Sequence, residues 1–182
     1  TVLGSLPLLA VVPYSLPVKS LAELTALSRT RSLNGGSSGN GTPQHLAFEL
    51  YRQLAGVNAQ HIPFKGGGPS TISLIGGHLD FIITGLPECL PHIRSGKLRA
   101  LAVAGVARLP AISEVPTTAE LGMPTLAITS WTGLMVPSAT PKHIIARINA
   151  EVARVLKQPD TAERVREQGF DIVAGPPEDA QR

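Results

Sequence analysis

Cysteine, aromatic residues and long apolar runs are all scarce in this sequence, and each shortage excludes a class of structure. Cys89 is the only cysteine, so the chain can form neither an internal disulfide nor a cysteine-based zinc site. No apolar run approaches the roughly 18 residues of a membrane-spanning helix. Aromatic residues make up only 4%, so we expect a core of Leu, Ile, Val and Ala. The first residues include no Met and no signal peptide, and the sequence is expected to begin inside a longer protein.

Strong charge of either sign is missing as well. The net charge is +3 and the pI is near 9.4, but no run of basic residues alternates with aromatic ones, which argues against nucleic-acid binding. A weak positive field favours small anionic ligands. With 182 residues, 43% of them hydrophobic, the chain is long enough for one substantial domain or two small ones.

Glycine and proline are abundant, with 18 and 16 residues, and they separate alternating apolar strands and helices. This strand–loop–helix order predicts an α/β fold with a largely parallel sheet and helices on both faces. The predicted strands are 8–12, 31–35, 58–64, 79–83 and 98–103, and the helices between them begin after Ser20, at Pro43, at Ser70 and after Pro87.

Two of these helices carry clear start signals. Ser20 is a candidate N-cap with Glu23 three residues later, and Thr42 is a candidate N-cap followed by Pro43. Gly56 is placed to end the second helix. Its apolar side is predicted to consist of Leu46, Phe48, Leu50, Tyr51 and Leu54.

The last third of the chain has a different pattern. A proline-rich segment, 108–124, is predicted to hold a short helix near 117–121, and 126–136 is predicted to be extended. An amphipathic helix over 141–156, a helix over 159–168 and a strand over 170–173 follow. We expect a domain boundary near Ala127.

The segment Asn34-Gly-Gly-Ser-Ser-Gly-Asn-Gly-Thr-Pro-Gln-His45 is the most informative one. Its glycines allow backbone N–H groups to converge, and the helix that follows contributes further donors and a positive dipole end. Such a loop suits a small anion. The loops 65–69 and 84–87 also follow strands and precede helices, so all three are expected at the carboxyl edge of the sheet.

The same loop contains a nucleophile-elbow pattern, Gly35-Gly-Ser37-Ser-Gly39, with Asp80 and His92 or His143 following in the expected order. The helix begins several residues too late for an elbow, and no oxyanion segment precedes the serine, so a serine hydrolase is disfavoured. No phosphate-binding G-K-[ST] motif occurs, which disfavours a nucleotide cofactor.

The histidines and the single tryptophan are the remaining candidates for a functional site. No two of the five histidines have metal-ligand spacing, so no metal site is predicted. His45 follows the loop directly and is expected either to orient it or to contact a ligand. Trp131, the only tryptophan, is expected either to anchor a core or to line a ligand cleft.

Many segments resemble one family in unbroken order. They are Pro17-Val-Lys-Ser-Leu-Ala-Glu-Leu24, Ser37-Ser-Gly-Asn-Gly-Thr42 with His45, Ile62-Pro-Phe-Lys-Gly66, Leu86-Pro with Leu90-Pro-His-Ile93, Gly96-Lys-Leu-Arg-Ala-Leu-Ala-Val103, Glu114-Val-Pro-Thr-Thr-Ala-Glu-Leu-Gly122, Trp131-Thr-Gly-Leu and Arg147-Ile-Asn-Ala-Glu-Val152. These segments resemble the Bug proteins, or TctC family, which are periplasmic solute-binding receptors of tripartite tricarboxylate transporters.

The resemblance implies a type II periplasmic-binding-protein (Venus-flytrap) fold and capture of a small carboxylate without chemistry or cofactor. It implies that 10–127 is the complete inserted three-layer α/β/α domain, and that 1–9 and 128–182 are part of the first domain. Its partners would be membrane subunits of the transporter, and its location the periplasm. The implied ligand contacts are Ser37, Ser38, Gly39, Asn40, Gly41, Thr42, His45, Lys65, Gly66, Thr84 and Trp131.

The sequence departs from this family in two ways. The family's N-terminal half-domain and final helices are absent, which suggests a fragment. Thr84-Gly85 stands where the family commonly has Asp-Asn, and the loss of that negative charge favours a plain carboxylic acid over an amino acid. The alternative function is the ligand-sensing domain of a transcription regulator, which would need a helix-turn-helix upstream.

Overall fold

The structure of the chain is a computed structural model that describes residues 1–177. These residues form two compact units, of which the larger is Pro7–Ser130. The smaller joins Thr1–Leu6 to the segment that begins at Trp131. Within residues 1–177, no helix has the length and apolarity to cross a bilayer.

Seven strands and six α-helices follow one another within residues 1–177. The strands are β1 (Val2–Pro13), β2 (Leu33–Ser37), β3 (Ala59–Pro63), β4 (Phe81–Gly85), β5 (Leu98–Ala104), β6 (Thr129–Gly133) and β7 (Asp171–Ile172). The helices are α1 (Leu21–Thr30), α2 (Pro43–Ala55), α3 (Gly67–Ile75), α4 (Leu86–Arg94), α5 (Lys142–Leu156) and α6 (Pro159–Glu167), with a 3-10 helix at Pro110–Ile112.

The strands of the larger unit lie in the order β3-β2-β4-β1-β5. β2 runs parallel to both β3 and β4, whereas β1 pairs antiparallel with β4 and with β5. The α/β class is confirmed, but the prediction of a largely parallel sheet misses β1, which lies between β4 and β5 in the opposite direction. A buried apolar strand is equally apolar in both directions, so its sequence gives no sign of its orientation.

The core of the larger unit is centred on aromatic side chains. Phe48 stacks on Phe81 with ring centroids 5.5 Å apart, and Tyr51 meets Phe81 edge-on at 6.2 Å. All three are among the largest fully buried side chains, together with leucines of β1 and α1. Leu, Ile, Val and Ala make up the rest of this core cluster, as expected, and the three aromatic rings lie where α2 packs on the sheet.

The two predicted N-caps are confirmed in atomic detail, whereas α3 begins at Gly67, three residues before the predicted start at Ser70. Ser20 Oγ accepts from the Glu23 N–H (3.1 Å), and Thr42 Oγ1 accepts from the His45 N–H (3.3 Å) with Pro43 opening α2. Gly56 ends that helix at φ 62°. The predicted apolar side of α2 is only partly right, because Leu46 and Leu54 are exposed.

Two further boundaries differ from the prediction. The helix expected near 117–121 is a single turn, in which the Leu121 N–H donates to Thr117 O (3.1 Å). The loop expected at 84–87 does not exist, because β4 continues to Gly85 and α4 begins at Leu86. Thr84 therefore lies inside a strand, where it is fully buried.

The smaller unit contains α5, α6 and β7, together with the first residues of β1. Gly4 pairs antiparallel with Ile172, and Asn149 Nδ2 donates both to Thr1 Oγ1 (2.7 Å) and to Gly175 O (3.0 Å). Although α5 is amphipathic, it has no buried residue.

Gly35 should be the glycine least tolerant of substitution. A Cβ there would lie 2.6 Å from Phe81 Cζ and closer still to the Phe48 ring. We expect Gly35→Ala to lower the free energy of unfolding by about 2–3 kcal/mol, because neither ring can move away within the packed core. The matched control is Gly105→Ala, where a Cβ meets nothing within 4 Å and φ is not positive. There the substitution should leave the free energy of unfolding unchanged or raise it by up to about 1 kcal/mol. Urea denaturation of both variants measures the difference, and equal effects would contradict it.

Candidate functional site

The loop after β2 takes a conformation that only glycine adopts readily. Gly39 has φ 130° and Gly41 has φ 76°. At Gly39 a Cβ would also lie 2.9 Å from Phe64 O, so the loop backbone lies directly against the segment that follows β3. Asn40 and Gly41, at the tip, are exposed.

Four hydrogen bonds hold this loop in place. The Phe64 and Gly66 N–H groups donate to Ser37 O and Ser38 O, each at 3.1 Å, and so join the ends of β2 and β3. Thr42 Oγ1 donates to Gly39 O (2.7 Å), and the Gly41 N–H donates to His45 Nδ1 (3.1 Å). His45 thus orients the loop, and this bond requires that its Nδ1 carry no proton.

Ser37 has a different partner from those of the nucleophile-elbow pattern. Its Oγ lies 2.7 Å from His61 Nε2 and accepts from the Gly39 N–H at 3.2 Å. The hydroxyl belongs to a fully buried residue, and the His61 ring stacks on His45 with centroids 4.1 Å apart. Ser37 therefore ties its own turn to β3, and neither His92 nor His143 is its hydrogen-bond partner.

Asp80, the acid of that pattern, is committed to a separate structural role. Its carboxylate accepts from Arg31 (3.1 Å) and from the Asn34 N–H (2.7 Å). Burial raises the pKa of Asp80, but these hydrogen bonds outweigh burial and hold it below its usual range. Asp80 thus anchors the start of β2.

Four buried side-chain oxygen atoms in the described part of the chain have no hydrogen-bond partner. They are Ser38 Oγ, Thr71 Oγ1, Thr84 Oγ1 and Glu88 Oε2. All four belong to the carboxyl ends of β2 and β4 or to the helices α3 and α4 beside them. Most buried polar groups in proteins are paired, so each of these oxygens is available to a ligand or an ordered water.

Ser38 and Thr84 were predicted from the sequence, whereas Thr71, Glu88 and His61 were not. Gly66 is the N-cap of α3, with φ 112°, and Lys65 beside it is exposed. Trp131 lies in β6 within the smaller unit and is 56% exposed, so a role in a closed core is wrong, and its ligand contact stays a prediction.

No metal or thiol chemistry is supported by these residues. Across residues 1–177, no three His, Cys, Asp or Glu side chains are grouped to hold a metal ion. The Cys89 thiol donates to Gly85 O (3.3 Å) inside α4, and burial, followed by the nearby Glu88 charge, raises its pKa. A thiol that stays protonated is a poor nucleophile.

Comparisons with known proteins agree on one family. The profile of the tripartite tricarboxylate transporter family receptors, TctC, matches residues 1–182. Protein BugT of Bordetella pertussis (strain Tohama I) is 34% identical over 98% of the chain and 55% of its own length. A second relative, from the tcbD-tcbE intergenic region of Pseudomonas sp. (strain P51), is 32% identical over 96% of the chain and 53% of its own length. The chain thus spans about half the length of these curated relatives.

Solved structures agree with this assignment. R. palustris Rpa4515 with adipate is 36% identical and superposes with a TM-score of 0.95, covering 100% of this chain and 61% of that one. MatC from Rhodopseudomonas palustris with bound malate is 31% identical and superposes with a TM-score of 0.88, covering 97% of this chain and 60% of that one. The type II periplasmic-binding-protein fold with a three-layer α/β/α arrangement is confirmed by these matches.

The pairing of His61 with Ser37 should make stability depend on pH. Burial lowers the pKa of His61, and the electrostatic influence of the stacked His45 ring lowers it further. The pKa of His61 in the folded protein therefore lies below the unfolded value of about 6.5. The stability that comes from keeping His61 neutral is complete above about pH 6.5, and it is lost as the pH falls through the folded pKa. We expect the free energy of unfolding to drop between pH 7.5 and 5, and to drop less in His61→Gln. The exposed His143→Gln should keep the wild-type slope in urea denaturation. A wild-type slope in His61→Gln would refute the assignment.

The unpaired hydroxyl of Thr71 should contribute nothing to the stability of the free protein. Thr71→Val keeps the shape of the side chain, so we expect an unchanged or slightly higher free energy of unfolding. Thr25 is the matched control in α1, because its Oγ1 donates to Leu21 O (3.0 Å) and lies 2.9 Å from the Tyr51 hydroxyl. Thr25→Val should lower the free energy of unfolding by about 1 kcal/mol. Thermal and urea melts compare the two, and a larger loss in Thr71→Val would show that its hydroxyl is paired.

Proposed function

The chain belongs to the TctC family of tripartite tricarboxylate transporter receptors, and on that premise we propose that it is part of a receptor that captures a small carboxylate. The ligand class is a di- or tricarboxylate or a related organic acid. The solved relatives with adipate and with malate support this class, since both compounds are dicarboxylic acids.

The observation that carries the proposal is the unpaired Ser38 hydroxyl beside the positive-φ glycine loop. A carboxylate has only acceptor atoms and therefore suits a site made of donors. Within 38–42 the Gly39, Gly41 and Thr42 N–H groups and the Thr42 hydroxyl already have partners, so the loop offers the Ser38 hydroxyl and the exposed Asn40, and Lys65 with Gly66 border it. In this proposal Ser37 and His45 shape the loop, and Thr84 contributes a second hydroxyl.

We further propose that 10–127 is the inserted domain and that the remainder belongs to a first domain with additional chain. The absence of any buried residue in α5 supports this, because an amphipathic helix normally covers its apolar side. The receptor would act in the periplasm and deliver its ligand to membrane subunits of a tripartite tricarboxylate system. One solved relative is described as a periplasmic transporter, which supports that location for the chain.

Calorimetric titration of the longest gene product that contains this chain tests the proposal. The titrants are adipate, malate, succinate and citrate. We expect at least one to bind, and Ser38→Ala to weaken that binding about 10-fold, since a hydrogen bond to a charged group contributes about 1.5–3 kcal/mol.

The matched control is Ser15→Ala, which should bind like the wild type. Ser15 is exposed just after β1 ends, at the opposite edge of the sheet, because the other end of the β1–β4 pairing joins Leu8 to Gly85. If none of the acids binds, or if Ser38→Ala binds as the wild type does, the proposal is wrong.

A further inference from the structure

Glu88 is the one ionisable group among the unpaired buried atoms, and its surroundings fix its position. It lies in the first turn of α4, where its Oε2 is buried without a partner. A Cβ added to Gly67, the first residue of α3, would lie 2.9 Å from Glu88 Oε1. The carboxylate is therefore packed directly against the start of α3, and only glycine leaves room for it there.

The N-termini of two helices lie beside Glu88. The positive dipole ends of two nine-residue helices, α3 and α4, point toward it. The N-caps of both helices, Gly66 and Gly85, supply no side-chain acceptor. An ionised carboxylate only accepts hydrogen bonds, so its natural partner is a donor.

Two fully buried threonines share this end of the sheet. Thr84 is 0% exposed and Thr71 is 1% exposed, and each has an unpaired Oγ1. Side chains alternate along β4, so Thr84 faces the same side of the sheet as Ile82, which lies beside Gly36. Thr71 is on the buried face of α3, the helix that packs against β4.

Glu88 is also connected to the glycine loop. Gly66, which precedes Gly67, donates its N–H to Ser38 O (3.1 Å). The loop, the start of α3 and the Glu88 carboxylate therefore follow one another without a gap. A ligand carboxylate held by the loop would bring its neighbouring carbon atoms toward Glu88.

We propose that Glu88, with Thr71 and Thr84, forms a second recognition site for a hydrogen-bond donor carried by the ligand, either a hydroxyl or an ammonium group next to its carboxylate. The inference rests on the proposed carboxylate-binding function. It replaces the expectation that Thr84 selects a plain acid, because Glu88 supplies a carboxyl group four residues further along the chain.

The test compares acids that differ only in the 2-substituent, in calorimetric titrations of the longest gene product that contains this chain. The sets are succinate, malate and aspartate; glutarate, 2-hydroxyglutarate and glutamate; and propionate, lactate and alanine. The wild type should bind a 2-hydroxy or 2-amino acid at least about 10-fold more tightly than its unsubstituted analogue. Whether the hydroxyl or the ammonium member is preferred identifies the donor.

The variant Glu88→Gln keeps the shape of the side chain and removes its charge, so it should lose most of that preference. Glu114→Gln, at an exposed position, should keep it. Thermal melts without ligand check that both variants fold, and Thr84→Val gives an independent variant with the same expected loss of preference.

The following outcomes overturn the inference. Equal binding within each set, or tighter binding of the unsubstituted acid, refutes it while leaving carboxylate capture intact. An unchanged preference in Glu88→Gln refutes the role of Glu88, and a loss of stability with no change in preference would make Glu88 a structural partner of α3 only. Absence of binding by all nine compounds refutes it too, and the adipate and citrate titrations then decide separately whether carboxylate capture fails as well.

Discussion

The site depends on two backbone hydrogen bonds that continue the pairing of β2 and β3 beyond the strands. They run from Phe64 and Gly66 to the carbonyl groups of Ser37 and Ser38. Because both carbonyls are occupied, neither oxygen is presented to an anion, and in the proposed site the Ser38 hydroxyl is the group left for a ligand. The same bonds hold the start of α3 at the loop, and Glu88 in turn packs against that start. One short stretch of backbone thus fixes three separate parts of the site.

Glycine serves three distinct purposes around this stretch. Gly35 leaves space for two stacked phenylalanine rings, so it couples the aromatic core to β2. Gly39 combines a positive φ with close approach to Phe64 O, so it shapes the loop. Gly67 leaves space for a carboxylate. The loop glycine alone could be understood from sequence, since the other two are required by partners distant along the chain.

Local patterns predicted the local structure well and failed where long-range packing decides. The caps at Ser20 and Thr42, the end at Gly56 and the order of strands and helices needed only nearby residues. Three features depend on residues that are distant in the sequence, which the spacing of nearby residues does not predict. They are the direction of β1, the exposure of Leu46 and Leu54, and the hydrogen bond between Ser37 and His61. Glu88 was missed because an acidic residue in the first turn of a helix is common and usually solvated. Its burial appears only when α3 is placed beside it.

A binding protein and an enzyme can hold the same serine and histidine for different reasons. Here the Ser37 hydroxyl forms hydrogen bonds within its own turn and with His61. Because Ser37 is fully buried, its hydroxyl is unavailable to attack a ligand. The groups without partners are instead Ser38, Thr71, Thr84 and Glu88. In the proposed site, a ligand that pairs with such a group would gain a hydrogen bond that the free protein does not make. A site of this kind gains affinity from hydrogen bonds that the fold itself leaves unmade, and it discriminates most strongly against ligands that cannot complete them.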